Sequence, residues 1–195
     1  IGSEVCTVQR TFAAIFNAGG DFATDGSQFD HLFADGEAFH VGSIEARALH
    51  TPGHTPACAS YLIGDAVFVG DAIFMPDYGT ARCDFPGCDA TKLYASIRRL
   101  LALPAATRVF VGHDYGPDGR PFAWETTVAE QRAHNKHVHE GVAEAAFVAL
   151  RRERDRQLSL PDLMLPAVQI NMRAGTLPPA EANGQIYLKI PLNAL

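Results

Sequence analysis

Apolar residues recur at helical spacing close to the start of the chain. Val5, Val8, Phe12 and Ile15 would lie on one face of a helix. Ser3 is a suitable capping residue, and a glycine pair follows residue 18. This pattern predicts a helix over residues 3–18, and the Asp-, Gly- and Phe-rich segment 21–36 that follows is typical of a loop.

Alternation of apolar and polar positions predicts strands in the next part of the chain. Segment 38–49 has this pattern and is interrupted by glycine and serine at 42–43. Segments 58–63 and 66–70 flank Gly64-Asp65, a two-residue sequence that is typical of a hairpin turn. The pattern therefore predicts antiparallel strands here.

Helical spacing returns in the second half. Asp89 is placed to cap a helix that ends before Pro104, and a short strand over 108–111 follows. Two further helices are predicted over 127–138 and 143–158. A proline-punctuated tail begins at about residue 160 and closes with a strand-like run over 186–192. This order predicts a single α/β domain in layers rather than an all-α or all-β protein.

Composition narrows the class of protein. The 195 residues carry a formal net charge of −6, which argues against a nucleic-acid or anionic-membrane partner. No apolar stretch is long enough to span a bilayer. Four scattered cysteines without a Cys-x-x-Cys pair are typical of reduced thiols, and therefore of a cytoplasmic protein. The sequence leaves the oligomeric state open, a homodimer included.

Three polar residues follow apolar or turn-rich segments at predicted strand ends. His54 lies in His50-Thr-Pro-Gly-His54-Thr-Pro, Asp71 follows Val69-Gly, and His113 follows Val111-Gly. Strand ends with tight turns hold side chains in fixed positions. Imidazole and carboxylate are also ligands that suit zinc and non-haem iron. The pattern predicts a metal site, although each residue alone could instead bond only to its neighbours.

Other candidates are weaker. His134, His137 and His139 fall in one predicted helix without an i, i+4 pair and a flanking glutamate, so a solvated face is the better interpretation. Arg82 suits a substrate carboxylate or phosphate, but an ion pair with a loop aspartate is equally consistent. Cys83 and Cys88 are interpreted as small packed thiols.

The order Pro-Gly-His54-Thr, Gly-Asp71, Gly-His113-Asp-Tyr115 resembles the metallo-β-lactamase superfamily, whose fold is an αββα sandwich. The chain is most similar to the persulfide dioxygenase and glyoxalase II branch. The residues that carry this narrower resemblance are Val69-Gly-Asp-Ala-Ile-Phe74, Gly79-Thr-Ala-Arg-Cys-Asp-Phe85 and Asn171-Met-Arg-Ala-Gly175.

The resemblance implies a role for each matching residue. His54 and Asp71 would bind the principal metal, and Asp71 would bridge if two metals bind. His113 would bind the second metal or lie beside a single iron ion. Thr55, Arg82 and Tyr115 would hold a glutathione moiety.

One element of the family is missing. The His-x-His-x-Asp-His motif, which precedes these segments in the family, does not occur in this sequence, and His31 and His40 do not supply it. We therefore expect a metallo-β-lactamase-like domain over residues 1–195 that is incomplete at its N-terminus.

The expected function is a glutathione persulfide dioxygenase that uses Fe²⁺. The alternative is a binuclear thioester hydrolase of the glyoxalase II type, with Zn²⁺ as the other candidate metal. A third possibility is an incomplete remnant without catalysis. In the first two cases the partner is a small glutathione-like thiol.

Overall fold

The computed structural model describes residues 1–192, and in it the strands form one mixed sheet. Six strands occur in sheet order β1-β2-β3-β4-β5-β6, the same as their order along the chain. Their bounds are Ala38–Val41, Ile44–His50, Ala59–Ile63, Ala66–Phe68, Arg108–Phe110 and Glu125–Thr127. All neighbouring pairs are antiparallel except β4 and β5, which are parallel.

Five α-helices accompany the sheet within residues 1–192. They are α1 Val5–Ile15, α2 Ala90–Leu101, α3 Val128–His134, α4 Glu144–Asp155 and α5 Met164–Asn171. The helix α2 lies in the connection between the parallel strands β4 and β5, as parallel pairing requires a crossover. The prediction of an α/β domain is confirmed.

The main core lies between one face of the sheet and helices α2, α3 and α4. Val67 and Val109 on the parallel strands, Leu93 and Ile97 of α2, and Phe147 of α4 belong to one buried cluster. The opposite face of the sheet is aromatic, with Phe68 stacked on Phe110 at a centroid distance of 5.0 Å. A smaller cluster joins α1 to α5 through Phe12, Phe16 and Met172.

The start of α2 lies where it was predicted, whereas the bounds of α1 and the end of α3 differ from expectation. Asp89 caps α2 as predicted, accepting hydrogen bonds from the N–H groups of Thr91 and Lys92. Ser3 does not cap α1, which begins after Glu4 and ends at Ile15. The helix predicted over 127–138 stops at His134, because the side chain of Asn135 accepts bonds from the next backbone N–H groups.

Two short elements escaped prediction, and one predicted strand is not formed. Strand β6 has only three polar residues, and α5 lies in the proline-rich tail. Pro166 is compatible with α5 because it occupies the first turn, where backbone N–H groups have no helical partner. The strand expected over 186–192 was wrong, since those residues form no strand.

Candidate metal centre

The connections that follow strands β2, β4 and β5 meet at one edge of the structure. His54 lies in the turn between β2 and β3, Asp71 follows β4, and His113 follows β5. Nε2 of His54 is 3.9 Å from Oδ2 of Asp71, and Nδ1 of His113 is 2.6 Å from Oδ1 of the same carboxylate. The three residues singled out in the sequence therefore converge, with Asp71 in the middle.

Backbone geometry at His54 depends on a glycine. Gly53 has φ 140°, and a Cβ at this position would collide with the backbone of Leu93 in α2. The N–H of Asp89 also donates to the Gly53 carbonyl at 2.9 Å. Close approach to the start of α2 thus holds the turn that carries His54.

The ring of His54 is oriented by the backbone of a distant loop. Its Nδ1 lies 2.9 Å from the carbonyl oxygen of Arg82. A carbonyl accepts and cannot donate, so this contact assigns the proton to Nδ1 and leaves the Nε2 lone pair directed toward Asp71. A metal-ligating histidine commonly has its other ring nitrogen bound in this way.

The two oxygens of the Asp71 carboxylate face different histidines. Oδ1 accepts from His113, whereas Oδ2 faces His54 Nε2 at a distance too long for a hydrogen bond. Ligand atoms that share one metal ion each lie about 2.0–2.2 Å from it, so the gap suits an ion between the two residues. Gly112 is required beside this carboxylate, since a Cβ there would lie 2.9 Å from Oδ1.

The candidate ligand side chains supply only part of what a metal ion needs. His54 and Asp71 supply an imidazole nitrogen and a carboxylate oxygen, which suit iron or zinc. Within residues 1–192, no group of three His, Cys, Asp or Glu side chains has a geometry that would hold a metal ion. His54 and Asp71 are therefore two candidate ligands, and the described residues offer no third donor beside them.

Thr55 and Arg82, which were expected to bind substrate, already use their polar groups in contacts within the protein. The Thr55 hydroxyl contacts Cys58 Sγ at 3.1 Å. Arg82 binds Asp84 through Nε and Nη2, at 2.6 Å each, and donates from Nη1 to the carbonyl of Ser159. The Arg82 guanidinium thus secures its own loop, the alternative that the sequence left open.

Tyr115 forms an aromatic wall beside His113, and the centres of the two rings are 6.4 Å apart. Its ring is 52% exposed and stacks on Tyr78 at a centroid distance of 4.3 Å. Lys136 Nζ lies 5.3 Å from the centre of the Tyr78 ring on this wall. Burial raises the pKa of Tyr115, so its hydroxyl stays protonated and can donate to a bound anion.

Sequence reasoning missed the residue that supports this wall. Arg120 donates from Nε and Nη2 to Asp77, at 2.6 and 2.9 Å, and from Nη1 and Nη2 to Asp114, at 2.7 and 2.8 Å. It joins the loop that carries Tyr78 to the loop that carries Tyr115. Arg120 holds the pKa of Asp114 well below its usual range. The fork of Arg120 comes from tertiary structure alone, so the sequence offered no signal for it.

The remaining candidates are not brought to the site as ligands. Desolvation raises the pKa of Cys83 beyond its ordinary range and that of Cys88 to about 12, so both thiols stay protonated. His137, expected on a solvated helix face, is 4% exposed and accepts from the Thr80 N–H at 3.0 Å. That expectation was wrong, because the chain turns inward after Asn135.

Comparisons with known proteins identify the family to which the chain belongs. A family model for the metallo-beta-lactamase superfamily matches residues 7–113. A probable metallo-hydrolase of Burkholderia pseudomallei is 55% identical over 205 residues, which cover all of this chain and 70% of that protein. The chain belongs to the metallo-beta-lactamase superfamily.

One solved structure and one further protein are also similar to this chain. The crystal structure of ETHE1 from Myxococcus xanthus matches with a TM-score of 0.66 and 37% identity, over 74% of this chain and 60% of that one. A hydroxyacylglutathione hydrolase of Methylococcus capsulatus is 40% identical over 96 residues, 48% of this chain and 36% of that protein. The described residues include no helix long and apolar enough to cross a membrane.

Proposed function

We propose that the protein is a non-haem iron dioxygenase that acts on glutathione persulfide. The observation that carries this proposal is that the two oxygens of the Asp71 carboxylate face different histidines. Oδ1 already accepts from His113, whereas Oδ2 faces His54 Nε2 without a hydrogen bond and is the oxygen better placed for a metal. One metal per site favours the mononuclear reaction over the binuclear one.

The metal would be held by His54 Nε2 and Asp71 Oδ2, together with a third donor, an imidazole, that the described residues do not supply. Iron in such a two-histidine, one-carboxylate site supplies open positions for O₂ and for the persulfide sulfur. The overall reaction consumes O₂ and water with the persulfide and gives sulfite and the thiol. His113 would hold the carboxylate in its orientation.

The residues around the metal provide contacts for a glutathione-like substrate. Tyr115 offers an exposed ring and a protonated hydroxyl, and Thr55 offers a second hydroxyl close to His54. Arg82 contributes positive charge, although its donors already serve Asp84 and Ser159. In support of a glutathione substrate, the similar protein from Methylococcus capsulatus is named for a glutathione thioester.

The alternative is a binuclear thioester hydrolase, and the names of two relatives favour it. Both the Burkholderia and the Methylococcus proteins are named as hydrolases. In that case His113 would turn from Asp71 and help to hold a second metal, and the two metals would supply an activated water for hydrolysis of the thioester.

Metal counting and two substrates separate these functions. The full coding sequence is purified, loaded with iron or zinc, and assayed for metal content, for O₂ uptake with glutathione persulfide, and for hydrolysis of a glutathione thioester. About one iron per chain with persulfide-dependent O₂ uptake is the expected result. About two metals per chain with thioester hydrolysis, and O₂ uptake no faster than in the metal-free control, would refute the dioxygenase.

A further inference from the structure

The peptide unit between Arg82 and Cys83 is bound at both of its polar ends. Its carbonyl oxygen, that of Arg82, accepts from Nδ1 of His54 at 2.9 Å. Its N–H, that of Cys83, donates to Oδ2 of Asp155 at 2.8 Å. One planar peptide group therefore connects a carboxylate on α4 with the imidazole that faces Asp71.

Asp155 is firmly held in the protein interior. Its side chain is 5% exposed and forms an ion pair with Arg151, one turn earlier in α4, whose side chain is 3% exposed. Arg151 also donates to the carbonyl oxygen of Thr80 at 3.1 Å. Helix α4 thus binds the segment 80–83 through two side chains and holds the Arg82–Cys83 peptide in place.

The charge on Asp155 affects the far end of the peptide. A hydrogen bond from N–H to a carboxylate is stronger than one to a neutral acceptor. Hydrogen bonds in a chain polarise one another, so the carbonyl of the same peptide becomes a better acceptor. A better acceptor at Nδ1 fixes the tautomer of His54 and makes Nε2 a stronger donor to a metal.

We propose that Asp155 is a positioning residue for His54 and acts through the Arg82–Cys83 peptide. The arrangement resembles a carboxylate–histidine–metal triad in which a peptide group is inserted between the carboxylate and the histidine. The proposal rests on the role of His54 as a metal ligand. It does not depend on whether the reaction is oxygenation or hydrolysis.

The direct measurement needs no variant. In metal-free protein with ¹⁵N-labelled histidine, the nitrogen shifts of His54 are expected to report a protonated Nδ1 and an unprotonated Nε2. The Cys83 amide proton is expected at low field and with slow exchange. A His54 ring protonated mainly on Nε2, or a Cys83 amide that exchanges as fast as an exposed loop amide, would overturn the proposal.

Two variants test the charge. Asp155→Asn keeps the shape and the acceptor oxygen but removes the charge, and it leaves Arg151 unpaired in the interior. The double variant D155N/R151M removes both buried charges, which keeps the helix neutral and favours folding. In the full coding sequence, both variants are expected to weaken Zn²⁺ and Fe²⁺ binding roughly ten-fold, as losses of outer-shell partners do. The Nδ1-protonated population of His54 should fall as well.

A matched control separates this role from a loss of stability. Phe147→Leu trims a fully buried side chain of the same helix without touching the peptide. It is expected to lower stability but to leave the His54 tautomer and metal affinity unchanged. Equal metal affinity in the wild type and D155N/R151M, or an equal loss in F147L, would refute the relay. Failure of the proposed function would instead appear as absent O₂ uptake with the tautomer intact.

Discussion

Nδ1 of His113 donates to Oδ1 of Asp71 at 2.6 Å, across the ends of the parallel strands β4 and β5. The pair is 42 residues apart in the chain, and its contact occupies one of the two carboxylate oxygens. The other oxygen, Oδ2, faces His54 and is the better placed of the two for a metal.

Replacing His113 with alanine is expected to leave the metal content at about one per chain but to lower activity. The carboxylate of Asp71 loses its orienting bond, and partners of this kind are worth roughly 10–100-fold in affinity or activity. Elemental analysis and turnover measure the two effects. His139→Ala, at an exposed position, is the control. A drop from two metals to one in H113A would contradict the mononuclear site.

Gly112→Ala is expected to push Asp71 out of position, because the added Cβ would lie 2.9 Å from Oδ1 and 3.0 Å from the Gly70 backbone. We expect a loss of about 1 kcal/mol in unfolding free energy from overpacking, together with weaker metal binding. Urea unfolding and a metal titration check both. Gly20→Ala is the control, since a Cβ there has open space around it. Unchanged metal affinity in G112A would refute the close contact.

Arg120→Ala is expected to loosen the aromatic wall of Tyr78 and Tyr115. The substitution leaves Asp77 and Asp114 without their shared partner, so the two loops can separate. Displaced positioning groups can cost up to about 100-fold in kcat/KM. The measurement is KM and kcat with the glutathione substrate. Arg47→Ala, which removes an exposed pair with Glu45 and a 3.4 Å contact with the Gly36 carbonyl oxygen, should change neither.

Because His137 is buried, we expect the free energy of unfolding to fall as the pH is lowered. Burial lowers the pKa of His137 from its ordinary 6.5 to about 3, so the folded protein holds it neutral while the unfolded chain protonates it at 6.5. Its contribution is complete above pH 6.5 and is lost as the pH falls toward 3. The slope is at most about 1.4 kcal/mol per pH unit. Urea unfolding between pH 7 and pH 4, approximately, tests it.

The matched variants differ only in burial. His137→Gln should flatten this part of the pH profile, whereas the exposed His134→Gln should leave it as in the wild type. An H137Q profile with the wild-type slope would mean that another group is responsible.

The 195-residue chain by itself is expected to hold metal weakly. Residues 1–192 contain no arrangement of three ligand side chains around one ion, and His54 with Asp71 offers two donors. Dialysis against a mild chelator followed by elemental analysis measures retention. Tightly bound, stoichiometric iron would contradict this prediction.

The elements that positioned the site could be predicted because their signals are local. Gly64-Asp65 marked the β3–β4 hairpin, and Asp89 marked the start of α2. The strand ends at Asp71 and His113 followed from short apolar runs before glycine. These features need only a few neighbouring residues.

The parts that were missed depend on contacts between distant residues. Arg120 reaches Asp77 across 43 positions, and Cys83 reaches Asp155 across 72. Three-residue strands such as β6 exist only because a neighbour offers its edge. His137 turned out buried because Asn135 ended its helix early. Periodicity and motifs contain no information on such partners.

The parallel pairing of β4 and β5 has a consequence for how the protein matures. Asp71 and His113 meet only after the intervening crossover, including α2, has docked on the sheet, and closing such a loop is slow compared with forming a hairpin. Hairpins β1–β2 and β3–β4 can form before that step. We therefore expect Asp71 and His113 to meet later than the hairpins form, so that a nascent chain would take up a metal at Asp71 in its final orientation only after α2 has docked.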